Sequence, residues 1–261
     1  MRRGRASLAA IVRRARDEDT AGSVVSALAS ALHRSRNLRE VQETLAPELE
    51  RWHSNPGEAT RVLRSLPTAT AAHMLAAMRE GRLDVNVFHY NASISACRHW
   101  QGVIRILDDM KTHGVPRDTV SFNASISSCS SGRQWRHALG LLAEMTEYKV
   151  PKDMFTYSAS IAACEKAGLW ELALELLGDM ATSGLVRNTI VYSASISACE
   201  KCGQWPAALH LLDEMAKQRV HKDTIVYNAS ISACSKGGQW QRAVALLDAM
   251  AQARVEKDTV T

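Results

Sequence analysis

The sequence lacks the long apolar runs of a membrane protein. No uninterrupted apolar run approaches the roughly 20 residues that span a bilayer. Hydrophobic residues make up 46% of the 261 residues and charged residues 23%. These values are typical of a soluble globular protein, and they argue against a disordered chain or a collagen-like fibre.

The sequence has little that indicates a disulfide framework or a metal site. It contains six cysteines and nine histidines. One Cys-x-x-Cys, at Cys199 and Cys202, has no second pair or histidine pair at zinc-like spacing, and the histidines form no His-Glu-x-x-His motif. One cysteine recurs in each repeat, on helices too far apart for a disulfide. We interpret these recurring cysteines as small core residues: Cys97, Cys129, Cys164, Cys199 and Cys234.

Catalytic motifs are also missing. The sequence has no His-x-Glu followed by Pro-Cys-x-x-Cys, as a zinc deaminase needs, and no acidic cluster that could hold the metal ions of a nuclease. Glu165 and Glu200 lie at equivalent repeat positions and are interpreted as solvated. The chain is therefore expected to be no enzyme, to need no cofactor and to take no small-molecule substrate.

What the sequence does contain is a 35-residue period. Two residue types recur at this spacing: Trp100, Trp135, Trp170, Trp205 and Trp240, and Met110, Met145, Met180, Met215 and Met250. A fixed period of this length indicates a stacked array in which each unit buries its apolar face on the next.

Each unit has the pattern of a helical hairpin, and no alternating strand pattern competes with it. In the unit 189–223, Gly203 separates two apolar stripes of helical period and suits a helix end, while Pro206 falls in the first turn of the second helix. The stripes are Tyr192, Ile196 and Cys199, and Trp205, Leu209, Leu212 and Met215.

The period sets the domain limits. Five repeats are predicted, the first with three residues fewer in its helix-to-helix loop near Arg98 and His99: 87–118, 119–153, 154–188, 189–223 and 224–258. Residues 51–86 form a degenerate repeat or cap, and 1–50 a basic segment with a leading helix. Residues 259–261 read as the start of a truncated further repeat, which suggests a fragment of a longer array.

The repeat resembles the pentatricopeptide repeat. In VYNASISACSKGGQWQRAVALLDAMAQARVEKD, residues 226–258, the likeness lies in the Tyr-Asn-x-x-Ile opening, the Cys-x-x-Gly hinge, the Ala-x-x-Leu-Leu-x-x-Met second helix and the closing Asp. The resemblance implies an all-α fold, a right-handed α-solenoid superhelix of stacked hairpins. It also implies that the chain binds single-stranded RNA with one base per repeat, read by the fifth and last residues.

Carried over by position, the fifth residues are Asn91, Asn123, Ser158, Ser193 and Asn228, and the last residues are Asp118, Asp153, Asn188, Asp223 and Asp258. Between the near-identical stretches 191–205 and 226–240, Ser193 becomes Asn228 within an almost constant frame. The variable polar side chains are therefore expected to read bases.

The chemistry of these pairs predicts a target. An ionised Asp only accepts hydrogen bonds, which suits the ring N–H of uracil or guanine, whereas Asn also donates and suits adenine. A short Ser at the fifth position leaves room for a purine, and a longer Asn reaches a pyrimidine. In repeat order the predicted core is 5′-UUAGU-3′.

Two accessory sets follow from the same resemblance. The second residues are expected to stack on bases, although ordinary core packing is an alternative: Phe88, Val120, Phe155, Ile190 and Ile225. Three lysines at 35-residue spacing are expected to contact phosphates, or else to form a solvated face: Lys166, Lys201 and Lys236.

Charge and the N-terminus bear on cellular location. The repeats 87–258 carry 18 basic and 17 acidic residues, so most of the net charge of +5 lies upstream. MRRGRASLAAIVRRAR, residues 1–16, has six arginines and no acidic residue. It reads as a transit segment or as a plain basic helix. An organelle is expected, the mitochondrion ahead of the plastid, with the cytoplasm an alternative.

Other functions remain open. A protein-binding scaffold of the tetratricopeptide type also stacks hairpins, but its period is 34 residues and its tryptophan lies in the first helix. The chain could also be the targeting part of a longer RNA-processing enzyme. The expected partners are single-stranded RNA and RNA-processing proteins, without a membrane.

Overall fold

The described part of the chain is entirely helical. The structure is a computed structural model, and it describes residues 21–33 and 37–253. Within these ranges there are no strands, and the helices are α1 Ala21–Leu32, α2 Leu38–Ser54, α3 Pro56–Ser65, α4 Thr68–Glu80, α5 Val87–Ala96, α6 Trp100–Thr112, α7 Thr119–Ser131, α8 Trp135–Glu147, α9 Met154–Ala167, α10 Trp170–Thr182, α11 Thr189–Lys201, α12 Trp205–Lys217, α13 Thr224–Lys236 and α14 Trp240–Gln252.

The helices stack as hairpins, so the fold is an all-α solenoid. The chain divides into two compact units, 1–128 and 129–261. In the first unit, α3 packs between α1 and α5, and α4 packs on both α2 and α6. In the second unit, α11 packs between α9 and α13, while α10 and α12 each contact the first helix of the next hairpin. Within each unit, the first helices therefore pack side by side as one row.

The core of the second unit comes from the recurring apolar residues. Ile161 and Ile196 on first helices, with Met180 and Met215 on second helices, are fully buried in one cluster. The four cysteines at 35-residue spacing, Cys129, Cys164, Cys199 and Cys234, are free and buried, and burial raises the pKa of each thiol. Their interpretation as core residues is confirmed, whereas Cys97 is only half-buried.

Each hairpin of the second to fifth repeats closes through one residue of left-handed backbone. Between first and second helices this position is Arg133, Gly168, Gly203 or Gly238, and after the second helices it is Gly114, Lys149, Gly184 or Arg219. The next amide then donates to a carbonyl one turn back, as in Gln204 N to Cys199 O at 2.9 Å and Val220 N to Met215 O at 2.9 Å. The recurring Cys and Met thus mark the last turns of their helices.

The first repeat is shorter in its helix, which corrects the prediction of a shorter loop. Helix α5 has 10 residues, whereas α7, α11 and α13 have 13 each. The connection 97–99 is as long as 132–134 or 202–204. Cys97 follows α5 in extended backbone, at φ −76° and ψ 123°. The helix therefore ends earlier than in the other repeats, where it continues until the turn with the left-handed residue.

Upstream of the repeats the structure contains more hairpins than the sequence indicated. The degenerate segment forms α3 and α4, and residues 21–54 hold two helices instead of one leading helix. Helix α2 buries Val41, Leu45 and Trp52 at helical spacing, with no repeat motif. Residues 1–16, Asp258 and residues 259–261 lie outside the described residues.

The described residues contain neither a membrane-spanning helix nor a cluster of metal ligands. None of their helices has both the length and the apolar character needed to cross a membrane. None of their His, Cys, Asp and Glu side chains gather in a group of three that could hold a metal ion.

Candidate functional site

The apolar second residue of every repeat is exposed, so the core alternative for these side chains is wrong. Helices α5, α7, α9, α11 and α13 each place this residue in their first turn, where it projects from the array. The exposed fractions are 69% for Phe88, 57% for Val120, 69% for Phe155, 66% for Ile190 and 61% for Ile225. Most other large apolar residues of the repeats are buried.

The last residue of a repeat begins the first helix of the next. In the second unit, Asp153, Asn188 and Asp223 are N-caps whose side-chain oxygens accept a hydrogen bond from the backbone N–H three residues on, at 2.8, 3.2 and 2.9 Å. Asp118 accepts in the same way from Ser121 N at 2.8 Å. One side-chain oxygen of each is therefore used by the helix, and the second polar atom of each side chain takes no part in the cap.

The two residues of the first predicted reading pair are joined directly. Asn91 Nδ2 donates to Asp118 at 3.1 Å to Oδ1 and 3.3 Å to Oδ2. The Ser121 hydroxyl lies 2.6 Å from Asn91 Oδ1 and 2.8 Å from Asp118 Oδ1. Desolvation by burial raises the pKa of Asp118, but the hydrogen bonds from Ser121 and Asn91 outweigh it and lower the pKa overall. Asp118 is therefore an ionised acceptor at neutral pH.

The fifth residues of the repeats in the second unit, which are predicted to read bases, lie on one row of helices. Ser158, Ser193 and Asn228 are half-buried and lie one turn into α9, α11 and α13, which pack side by side. Ser158 Oγ donates to Met154 O at 2.7 Å, within its own helix. Asn188 Nδ2 donates to Met154 Sδ at 3.2 Å. Thioether sulfur is a weak acceptor, so this amide remains a good donor for a ligand.

The recurring lysines reach back to the preceding repeat. Lys201 Nζ is 2.5 Å from Glu165 Oε1, and Lys236 Nζ is 2.6 Å from Glu200 Oε1. Lys166 Nζ donates to Ser130 O at 3.3 Å, at the equivalent place in a repeat that lacks the Glu. The interpretation of Glu165 and Glu200 as merely solvated is therefore wrong.

These ion pairs constrain the lysines without burying them. The side chains of Lys201 and Lys236 are 41% and 49% exposed. Desolvation raises the pKa of Glu200, but hydrogen bonds from Lys236 and Ser232 lower it overall, so its carboxylate stays charged. A phosphate near these lysines would compete with the carboxylates of the ladder formed by Lys166, Lys201, Lys236, Glu165 and Glu200.

The hydroxyl groups of Ser121 and Thr156 were missed by sequence reasoning. Thr156 Oγ1 donates to Asp153 Oδ1 at 2.9 Å, as Ser121 does to Asp118. Both are the third residue of their repeat and are fully buried. The sequence signal was weak, because a typical capping box has Ser or Thr as the cap and Glu or Gln three residues on, whereas here Asp153 is the cap and Thr156 takes the third place.

Family models match most of the repeat region. The model described as pentatricopeptide repeat domain matches residues 105–167 and 175–237, and the model described as PPR repeat matches 155–185 and 225–255. Together the matches run without a gap from 105 to 255, more than half of the chain. No curated protein sequence matches the chain.

Solved structures share the fold at low sequence identity. The crystal structure of pentatricopeptide repeat protein PPR10 from maize has a TM-score of 0.61 at 21% identity over 97% of this chain, which spans 40% of that protein's chain. The PPR domain of Arabidopsis thaliana protein-only RNase P 1, solved in complex with tRNA, has a TM-score of 0.56 at 14% identity over 61% of this chain and 84% of the other. Their likeness lies in the stacked helical hairpins.

Proposed function

Because the chain belongs to the pentatricopeptide repeat family, we propose that it binds single-stranded RNA and reads one base per repeat. The proposed reading pairs are Asn91 with Asp118, Asn123 with Asp153, Ser158 with Asn188, Ser193 with Asp223 and Asn228 with Asp258. The proposed core target is 5′-UUAGU-3′, with the first base at the first pair.

The observation that carries the proposal is the exposure of the five second residues. Apolar side chains left in water at a regular spacing are unfavourable unless a ligand covers them. Nucleic acid bases offer apolar faces of similar size, and their stacking on such side chains tolerates any sequence. A base between neighbouring second residues would present its edge to the half-buried polar pair, where the choice of base is made.

The hydrogen-bond chemistry supports the assignment of bases. Asp118 is ionised and accepts from Asn91, and its Oδ2 is its less engaged oxygen. Such an acceptor fits the ring N–H of uracil, which cytosine lacks. Asn188 keeps an amide donor at Met154, the residue to whose carbonyl Ser158 also donates, and this donor fits the ring acceptor of adenine.

The proposed role is recognition in organellar RNA processing, stability or translation, with the mitochondrion favoured over the plastid. A second candidate is that the chain forms the targeting part of a longer RNA-processing enzyme. The Arabidopsis relative favours it, because there a repeat domain of the same fold belongs to an RNase P. In both cases this chain supplies binding, and RNA-processing proteins are the proposed protein partners.

A binding titration tests the proposal. The chain is titrated against a short unstructured RNA that contains UUAGU, and against the same RNA with the complementary core ACUAA. We expect clearly tighter binding to UUAGU. Equal affinity for the two RNAs would remove the base assignment. Failure to bind either RNA, together with capture of specific peptides from a library, would instead show a protein-binding solenoid.

Phe155→Ser is the matched variant. Its side chain is 69% exposed, so the substitution is expected to leave the unfolding midpoint nearly unchanged. Loss of one stacking surface should weaken binding to both RNAs by the same factor, roughly fivefold or more. An unchanged affinity would exclude the second residues from the interface.

A further inference from the structure

The third residue of a repeat lies against the reading pair of the repeat before it. Ser121 is fully buried, and its hydroxyl lies within hydrogen-bond distance of both members of the Asn91–Asp118 pair. A hydroxyl has one proton, so it donates to one of these two oxygens at a time. When it donates to Asn91 Oδ1, the shorter of the two contacts, it holds the Asn91 carbonyl towards Ser121 and leaves the Asn91 NH₂ facing Asp118.

This contact varies between repeats together with the fifth residue. Thr156 follows Asp153 and donates to it at 2.9 Å. Val191 and Val226 occupy the same place after Asn188 and Asp223, are fully buried and have no hydroxyl. Pairs with Asn at the fifth position are followed by Ser121, Thr156 and, in the sequence, Thr261, whereas the two pairs with Ser are followed by valine.

We propose that the third residue of the following repeat is a positioning residue for base recognition, an inference that rests on the proposed function. A hydroxyl there locks the Asn amide and the Asp carboxylate into one arrangement, with the amide NH₂ on the carboxylate. Valine at this place gives the last residue its helix-cap hydrogen bond through the backbone N–H but no hydroxyl that could join it to the fifth residue. Uracil-reading pairs thus carry a third member that the two-residue description omits.

The arrangement has a defined consequence at the first base. An Asn amide that turns over exchanges a donor for an acceptor at nearly the same place. With Ser121 in place, the carbonyl is held and the NH₂ is committed to Asp118, so the pair presents one fixed pattern to the base edge. Without the hydroxyl, both amide orientations become accessible, and the pair accepts cytosine as well as uracil.

Ser121→Val tests this in the full chain, with Ser121→Thr as the conservative control. Valine is accommodated at this place in the repeats of Val191 and Val226, so the variant is expected to fold. Affinities are measured for RNA with UUAGU, with CUAGU, which changes the first base, and with a changed third base. In Ser121→Val the preference for uracil over cytosine at the first base should fall by roughly three- to tenfold, the range of one hydrogen bond. Ser121→Thr should keep it.

Two readouts separate positioning from a general structural role. The third-base preference, set by Ser158 and Asn188, should stay unchanged in Ser121→Val. The pKa of Asp118, followed by NMR of its carboxyl carbon, should rise because a hydroxyl donor is lost.

If the wild-type chain prefers uracil at the first base and Ser121→Val keeps the same preference, this inference is overturned while the proposed function stands. A wild-type chain without RNA binding would overturn the proposed function and the inference with it.

Discussion

At the residue scale, the side chain that ends a repeat caps a helix and is also proposed to read a base. Asp153, Asn188 and Asp223 cap the next helix with one oxygen and are proposed to read a base with the remaining atom. Asp and Asn are both strong N-caps, but only Asn also offers a donor. The need for a helix cap therefore limits this position to a few residue types. The difference between Asp and Asn at this position can then determine which base is recognised.

Asp223 gives the first prediction. Asp223→Asn should keep the helix cap, so its free energy of unfolding should stay within about 0.5 kcal/mol of wild type. Because the Ser193 pair would then match that of Ser158 and Asn188, the preferred fourth base should change from guanine to adenine, as measured by RNA titration. Asp223→Ala is the control and should lose about 1 kcal/mol of stability with the cap. A retained guanine preference in Asp223→Asn would contradict the reading role.

His89 gives a prediction for pH dependence. It is buried, and its Nδ1 accepts from Asn86 N at 3.2 Å, which completes a capping box. Desolvation by burial lowers the pKa of His89 below its ordinary value. The unfolded chain therefore binds this proton first, and the unfolding free energy should fall as pH decreases below about 6.5.

Denaturant unfolding between pH 8 and 5 measures this effect. His89→Gln keeps an acceptor at the same capping position but does not titrate, so its stability should be flatter over this range than that of wild type. Asp118, whose pKa is also lowered, contributes only at more acidic pH, below the ordinary range of a carboxyl group. Identical pH profiles for wild type and His89→Gln would exclude His89 as the source.

At the element scale, the turn positions hold different residue types but share one backbone conformation. Arg133 takes the left-handed conformation that Gly168, Gly203 and Gly238 take, at φ 57° against 66° to 70°. Lys149 and Arg219 do the same after the second helices, at φ 55° and 56°. Such a conformation costs a non-glycine residue about 1–2 kcal/mol. Hairpin stacking therefore imposes the turn even where the local residue disfavours it.

Exchanges at these positions give a matched pair of predictions. Arg219→Gly should stabilise the chain by roughly 0.5–1 kcal/mol, since relief of the left-handed conformation exceeds the entropy cost of glycine. Gly184→Ala should destabilise it by about 1 kcal/mol. A Cβ at Gly184 would meet nothing within 4 Å, so the loss would come from the backbone alone. Thermal unfolding measures both, and a loss of stability in Arg219→Gly would contradict this account.

At the scale of the whole molecule, charge balance limits the electrostatic part of RNA binding. Residues 87–258 are nearly neutral, and two of the recurring lysines are paired with Glu165 and Glu200. Binding by stacking and hydrogen bonds depends weakly on salt, whereas binding by phosphate contacts releases counterions. The lysine ladder therefore contributes more to repeat-to-repeat contact than to a positively charged surface.

The salt dependence of RNA affinity measures this directly. A single-stranded ligand gives a slope of about −0.7 per phosphate contact in a plot of log affinity against log salt. With three recurring lysines available, we expect a slope no steeper than about −2. Glu165→Gln frees Lys201 and should make the slope steeper at unchanged base preference. If the slope of the wild-type chain is several times steeper than this value, basic residues other than the three recurring lysines contact the phosphates.

The repeat, its hairpin form and the helix boundaries at Gly203 and Pro206 could be predicted from the sequence. These follow from short-range rules: apolar spacing makes a helix amphipathic, glycine suits the turn that ends it, and proline suits its first turn. The caps at Asp153, Asn188 and Asp223 were not predicted. The prediction was less successful upstream, where Trp52 is buried in a hairpin that carries no repeat motif. It also placed the three missing residues of the first repeat in the loop, although α5 lost them from its last turn.

Which side chains remain exposed and which contact each other depends on the packing of the hairpins and could not be predicted from the sequence. A large apolar side chain such as that of Phe155 is usually buried in the core, but the stacking of the hairpins leaves it exposed to solvent. Asn91, Asp118 and Ser121 are up to 30 residues apart, and Glu165 and Lys201 are 36 apart. Such contacts join one repeat to the next, so they depend on how hairpins pack, and no pattern within a single repeat contains that information.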